Sequence, residues 1–308
     1  MDVVRPTLDQ LAIFQCVAEQ GSFHAAARRM GRAVSAISYG IAGLETHLGV
    51  RLLEREGSRR PVLTEAGRAV LAHARAIGGG VDDLIAGVRA YNEGLETCLG
   101  LAIDVMVPQG LLSGLLRDFQ LAFPTVDLTL HVEGLGAVAA LVLDERAQLA
   151  VAGPAAIGQP LLELAALGDL ELVPVGAPAH PLARMERIEP GVARRYRQLV
   201  LTDRSTLTEG ADFGVFASRT WRLGDLAAKH ALLLEGIGWG NMPRHMVEAD
   251  LAAGRLVILP VPEGPRTRYP LWAAWRRDRA PGPAGRWIQS ELSARFAPGA
   301  CPATASSP

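Results

Sequence analysis

GSFHAAARRMGRAVSAISYGIAGLETHLGVRLLEREGSRRPVLTEAG, residues 21–67, is the stretch that decides how this chain is read. Ser22 is a natural N-cap, and the run Ala25, Ala26, Ala27 fills a short helix that Gly31 closes. After a tight turn a second helix is expected over about residues 33–47. Its stripe Ile37, Ile41, Leu44 and Leu48 repeats at helical spacing and needs an apolar core to face. That orientation turns Ser35, Ser38, Tyr39 and Ala42 outward. Hydroxyls and a phenol can hydrogen-bond base edges or phosphates, and an alanine can touch a thymine methyl. Two helices so joined, the second aimed at a major groove, have helix-turn-helix geometry. Residues 50–53 and 61–63 read as two short strands around Gly57 and Ser58, a wing carrying Arg51, Arg55, Arg59 and Arg60 for phosphates.

Upstream, Thr7 and Gln10 have the spacing of a capping box, and Leu11, Phe14, Val17 and Ala18 continue into a helix that Gly21 ends. The 308 residues are 49% apolar with a net charge of −1, so the chain as a whole is no generic polyanion binder. Its positive charge is local. Between Arg28 and Arg60 seven arginines stand against three glutamates. The chain's only lysine is Lys229. Cys16, Cys98 and Cys301 are far apart and have no CxxC or His/Cys company, so neither a disulfide framework nor structural zinc is expected. Cys16 falls on an apolar helix face and is expected to be buried and inert. No signal sequence or membrane-length apolar run is present, which places the chain in the cytoplasm as an expectation.

Downstream of the wing, Val70, Ala74, Ile77, Val81, Leu84, Val88, Tyr91 and Leu95 alternate steps of four and three. That is the seam of a coiled coil, so the long helix is expected to pair with a second copy. Gly78, Gly79 and Gly80 fall between seam positions and each weakens a helix interior by about 1 kcal/mol, so a local bend is expected there.

Beyond Leu95, strands at 99–107, 126–132 and 148–152 alternate with helices at 111–123 and 137–143. The pattern recurs with strands at 198–201, near Ile237 and at 256–259, and helices at 225–234 and 244–252. A strand at 269–275 should return to the first lobe, followed by a helix near 285–296. Such alternation implies parallel sheets flanked by helices, here two open α/β lobes joined by crossing strands.

The head closely resembles that of LysR-type transcriptional regulators: GSFHAAARRMG, SAIS, Leu44-Glu45, LGVRLLER and LTEAG stand in the family's order. The likeness extends less tightly through LTDRS (201–205) and GIGWGNMP (236–243). The resemblance implies a multidomain chain: a winged helix-turn-helix head (1–65), a linker and dimerisation helix (66–95), and a two-lobed effector domain like periplasmic binding proteins (96–298), with a disordered tail (299–308). It also implies double-stranded promoter DNA, a homodimer or homotetramer and a non-covalent small-molecule effector as partners, with RNA polymerase a possible further one. Arg32 and Val34 join the expected DNA contacts. Two departures stand out. Ala33 and Val34 replace a Ser–Gln pair, and Tyr39 often has Arg or Lys in its place, with Gly40 awkward inside a helix.

Ligands of open α/β sheets bind beyond the carboxyl ends of strands, where loops meet helix N-termini. Pro108, Gln109 and Gly110, then Gly153 and Pro154, then Thr202, Asp203, Arg204 and Ser205 are such positions, with Trp221 and Trp239 as an expected wall. Pro108 and Gln109 stand where the family commonly has Ser or Thr. No catalytic, cofactor or metal constellation emerges. Gly236-Ile-Gly-Trp-Gly lacks the order of a dinucleotide fingerprint, His131 and Glu133 lack a third partner, and Asp225 with Lys229 reads as a surface ion pair. The expected function is an effector-modulated DNA-binding regulator, not an enzyme. The alternative is a ligand-independent repressor or architectural protein whose lobes only assemble oligomers.

Overall fold

The computed structural model describes residues 5–54, 61–92, 94–211, 213–262 and 267–297. The chain divides into two compact units, Met1–Arg89 and Ala90–Pro308.

The first unit is built on three short helices, α1 (Leu8–Gln20), α2 (Phe23–Met30) and α3 (Val34–Leu48). Thr7 and Gln10 form the capping box, and Ser22 accepts the Ala25 N–H to start α2. Phe14, Val17, Ala26, Ile37, Leu44 and Leu52 make a core with essentially no exposure. Cys16 is buried, as its helix face implied. Gly40 has a packing reason: a Cβ there would lie 2.7 Å from Ile13 Cδ1, so its absence lets α1 and α3 close up. Of the wing, the structure shows one antiparallel bridge, Leu53 to Leu63, flanked by Glu54 N–H to Val62 O and Thr64 N–H to Leu52 O. The expected turn at Gly57 and Ser58 lies outside the described residues.

Helix α4 (Glu65–Asn92) is continuous through Gly78–Gly80. The single seam expected from the sequence is divided in the structure. Ala74 is buried and Val70 packs on the head's own core beside Leu71. Ile77, Leu84, Val88 and Tyr91 are exposed, and Val81 is half-buried. The physical reason is that a small head cannot close its core with three helices, so the first turns of α4 supply the missing wall.

The second unit carries one sheet in the order β2-β1-β3-β9-β4-β7-β5-β6, with β8 also on β4. The strands are β1 (Cys98–Asp104), β2 (Asp127–Glu133), β3 (Leu149–Ala152), β4 (Leu162–Gly176), β5 (Gln198–Leu201), β6 (Thr220–Leu223), β7 (Trp239–Pro243), β8 (Val257–Ile258) and β9 (Thr267–Arg276). β1 pairs in parallel with β2 and β3, and β5 with β6 and β7. Long antiparallel β4 and β9 join the two parallel groups, so they are the crossing strands between lobe 1 and lobe 2. The helices are α5 (Gln109–Ala122), α6 (Gly136–Leu143), α7 (Leu226–Leu234), α8 (Arg244–Ala252) and α9 (Pro283–Phe296). Side-chain alternation sorts them. Leu99, Leu101 and Ile103 share a core with Leu115 of α5 and Ile288 of α9, whereas Ala102 of the same strand meets Val138 and Val142 of α6. Small residues at Ala102, Ala150, Ala152 and Ala274 let α6 lie close on that face.

Candidate nucleic-acid face and ligand cleft

The core stripe of α3 fixes what the opposite side presents. With Ile37, Ile41 and Leu44 buried, Ser35, Ser38 and Ala42 are exposed and Tyr39 is 82% exposed. Two expected contacts sit differently. Val34 is half-buried and packs on the head's core. Arg32 forms a two-point ion pair with Asp9, at 2.8 Å on each nitrogen. That pairing holds the Asp9 carboxyl below its ordinary range and raises the Arg32 guanidinium, chiefly through the hydrogen bond between them. Arg32 therefore staples the turn to α1. Arg51 is exposed beside α3, while Arg55, Arg59 and Arg60 lie outside the described residues.

Glu45 is absent from the residues expected at the site, yet it sets the wing. Its Oε1 accepts the Leu52 N–H at 2.7 Å and the Leu53 N–H at 3.2 Å, tying the strand after α3 back onto the helix. Thr64 does the same from the other side. Its hydroxyl donates to Arg51 O at 2.8 Å and accepts the Gly67 N–H at 2.9 Å, capping α4. A sequence signal exists for both: each polar side chain adjoins an apolar run whose backbone needs partners.

In the second unit, a cavity of about 560 Å³ lies where the loop after β5 meets the start of α6. Thr202, Asp203, Arg204 and Ser205 line it, with Phe213 and Arg222 from lobe 2 and Leu135 from lobe 1. The loop after β5 thus stands where the sequence placed it. Pro108 precedes α5, and Gln109 and Gly110 open that helix with their side toward solvent; none of the three lines this cavity. Gly153 is buried and Pro154 begins a single 3₁₀ turn.

The two tryptophans are corrections. Trp239 is fully buried among Leu182, Ile188, Ala193, Leu259 and Val261, on the side of β7 away from α7. Trp221 sits on edge strand β6, 43% exposed, with the Arg197 guanidinium 4.3 Å from its ring centroid. Strand pleat sends one into a core and sheet order sends the other to an edge, so neither walls the cavity.

At the carboxyl end of β1, the structure adds residues that the sequence pattern does not single out. Asp104 has no solvent exposure. Its Oδ1 accepts the Met106 N–H at 2.9 Å and its Oδ2 the Tyr269 hydroxyl at 2.8 Å, and the Gly153 N–H also bonds this carboxyl. Burial raises the Asp104 carboxyl to about 6, against the pull of those three donors. The Tyr269 phenol is pushed up by burial first, then by the carboxylates of Asp104 and Asp203. A charged residue closing an otherwise apolar strand is the legible hint. The expected surface ion pair also fails. Asp225 caps α7 through the Ala228 N–H at 2.6 Å, while Lys229 is buried and donates to Asn241 O at 2.7 Å.

No group of three or more His, Cys, Asp or Glu side chains suited to a metal occurs among the described residues, and none of the helices described there is long and apolar enough to cross a membrane.

Comparison with known proteins agrees with this layout. Residues 8–68 match the family described as "Bacterial regulatory helix-turn-helix protein, lysR family", and residues 92–297 match "LysR substrate binding domain". The chain is 31% identical over 295 residues to the probable HTH-type transcriptional regulator YhaJ of Escherichia coli K12, covering 94% of this chain and 97% of that protein. It is 30% identical over 303 residues to the regulator YeeY of the same organism, covering 96% and 95%. Among solved structures it is similar to an OxyR C206 mutant of Corynebacterium glutamicum, with TM-score 0.56, 21% identity and coverage of 96% and 95%. ArgP of Mycobacterium tuberculosis gives TM-score 0.53, 22% identity and coverage of 94% and 96%.

Proposed function

This chain belongs to the LysR-type transcriptional regulators, DNA-binding proteins with an effector-binding domain, and we propose how its own residues divide that work. One observation carries the reading of the head: α3 buries Ile37, Ile41 and Leu44 while showing solvent two serines, an alanine and a tyrosine. We assign base-edge and phosphate contacts to Ser35, Ser38, Tyr39 and Ala42, and backbone contacts to Arg51. Val34 acts behind that face in packing, and Arg32 beside it in the Asp9 staple. Two chains pair along Ile77, Leu84, Val88 and Tyr91 of α4, an apolar series left without a cover in the single chain. The setting we infer is the cytoplasm.

Genome-wide footprinting of the full chain, followed by binding to the strongest sites, tests this. Dyad-related half-sites a whole number of helical turns apart are expected from a paired head; single half-sites throughout would defeat the pairing. Combining Tyr39→Ala with Ser38→Ala should weaken specific binding at least tenfold, since a good bidentate base contact contributes roughly 1–3 kcal/mol. Non-specific binding and thermal stability should hardly change, and equal specific binding would remove α3 as the reader.

We place the effector against Thr202, Asp203, Arg204 and Ser205, the residues from the sequence that do line a cavity. The class we expect is a small polar molecule able to use hydroxyls and a guanidinium. A thermal-shift screen of small acids, amines and aromatics on the full chain should give a hit that Arg204→Ala abolishes. A flat screen shifts weight to the ligand-independent alternative.

A further inference from the structure

Helix α6 of lobe 1 lacks a cap of its own. The residue before it is Leu135, which offers no side-chain acceptor and has φ of 51°, a left-handed backbone that a leucine adopts only under constraint. The N–H of Ala137, at the position that an N-cap side chain normally serves, donates to Asp203 Oδ2 at 2.7 Å and, at the longer distance of 3.2 Å, to Gly134 O of its own turn. Asp203 belongs to the loop after β5 in lobe 2, 66 residues away. Its carboxylate is held for the task. Ser205 Oγ donates to Oδ2 at 2.8 Å and the Thr208 hydroxyl donates to Oδ1. The facing residue of lobe 1 has no side chain, which admits the loop. A Cβ on Gly136 would lie 2.6 Å from Ser205 Oγ and 2.7 Å from Thr208 Cγ2.

We propose that Asp203 is an internal latch: seated on the N-terminus of α6, it holds the two lobes of the effector domain together. A carboxylate at a helix N-terminus gains both a charge-assisted hydrogen bond and the favourable end of the helix dipole. Here both gains are made across the lobe boundary, so they are forfeited when the lobes part. The latch goes beyond the effector reading and does not depend on it, because every group in it belongs to the protein itself. It also has a consequence for that reading. An anionic effector cannot use the Ala137 N–H without first displacing Asp203.

Hydrogen exchange by mass spectrometry on the ligand-free full chain tests the latch. In Asp203→Ala, residues 136–139 and 202–209 should both exchange at least tenfold faster, with β5 and β7 unchanged. Gly136→Ala approaches from the other lobe: it keeps Asp203 and favours the helix intrinsically, yet it wedges the contact, so the same two segments should loosen. Faster exchange confined to 202–209 would show only a local loop network and overturn the latch. Unchanged exchange at 136–139 in either folded variant would overturn it as well. If Asp203→Ala does not fold, Gly136→Ala decides between these outcomes alone. A failed effector screen leaves these exchange results untouched, so the two readings fail separately.

Discussion

Lys229→Met should leave the second unit as stable as the parent or more so at pH 7, and less stable than the parent near pH 10.5. Lys229 is 3% exposed and its ammonium meets one acceptor, Asn241 O at 2.7 Å. Burial lowers the amine from 10.5 to about 8. The sign follows from proton counting. Between about pH 8 and 10.5 the unfolded chain holds a proton that the folded chain has released, so stability rises with pH across that window. Below about pH 8 both states are charged and the folded one carries the full penalty, on the order of 3 kcal/mol for a shift of this size. Methionine keeps the unbranched stem and removes the charge, but it leaves Asn241 O without its donor, at a cost of about 1–3 kcal/mol. The first effect outweighs or balances the second at neutral pH and vanishes at high pH, where only the cost remains. Urea unfolding of both proteins at pH 7 and pH 10.5 measures the difference; because Lys229 is the chain's only lysine, no other ammonium of that type confuses the comparison. A stability difference that is the same at both pH values would mean that the buried amine is not the titrating group.

Gly67→Ala should damage the head more than its helix position suggests. By propensity alone, alanine would stabilise the first turn of α4 by about 1 kcal/mol. The geometry reverses this. A Cβ at residue 67 would overlap the Leu52 carbonyl oxygen, which is backbone and itself accepts the Thr64 N–H at 3.0 Å. No rotamer can relieve the overlap, so either α4 or the strand after Glu45 must move, and overpacking of this kind costs about 1–3 kcal/mol or more. The displaced strand carries Arg51 and leads into the wing. We therefore expect net destabilisation of the head and at least a tenfold loss of DNA affinity, in contrast to the stable but weak binding expected of the Tyr39 variant. Paired measurements of unfolding and binding that match the parent would show that the wing and α4 are not locked at this point.

Much of the architecture is legible because short-range rules govern it. The capping box at Thr7 and Gln10 and the N-cap Ser22 stand where local chemistry puts them. Strand β5 and helix α8 match their expected spans, being bounded runs of one period. Strand β4, 15 residues long, escapes a periodicity reading because a register shift between Ala166 and Gly168 breaks its period and Pro174 interrupts it near the end. Lys229 is an instructive failure. Asp225 four residues earlier suggests an ion pair, but Leu226, Lys229 and Leu233 already trace the buried stripe of α7. Spacing is the better guide there than charge. In the candidate cleft, Thr202 to Ser205 come from sequence, whereas Leu135 arrives from the other lobe; the buried Asp104–Tyr269 pair likewise joins two strands that no local pattern links.

By itself the sequence determined where the short helices of the head form and that α3 shows hydroxyls and a phenol to solvent, since these depend on contacts within a few residues, and the order of the head's motifs carried the family resemblance. Only the tertiary structure decided that Val34 packs on the head's core and Arg32 pairs with Asp9 at its surface, that the first turns of α4 belong to the head's core, that neither tryptophan reaches the cavity, and that Asp203 caps a helix of the other lobe. Those outcomes depend on which distant surfaces compete for the same side chain, and burial and hydrogen-bond satisfaction settle that competition only when the whole fold is assembled.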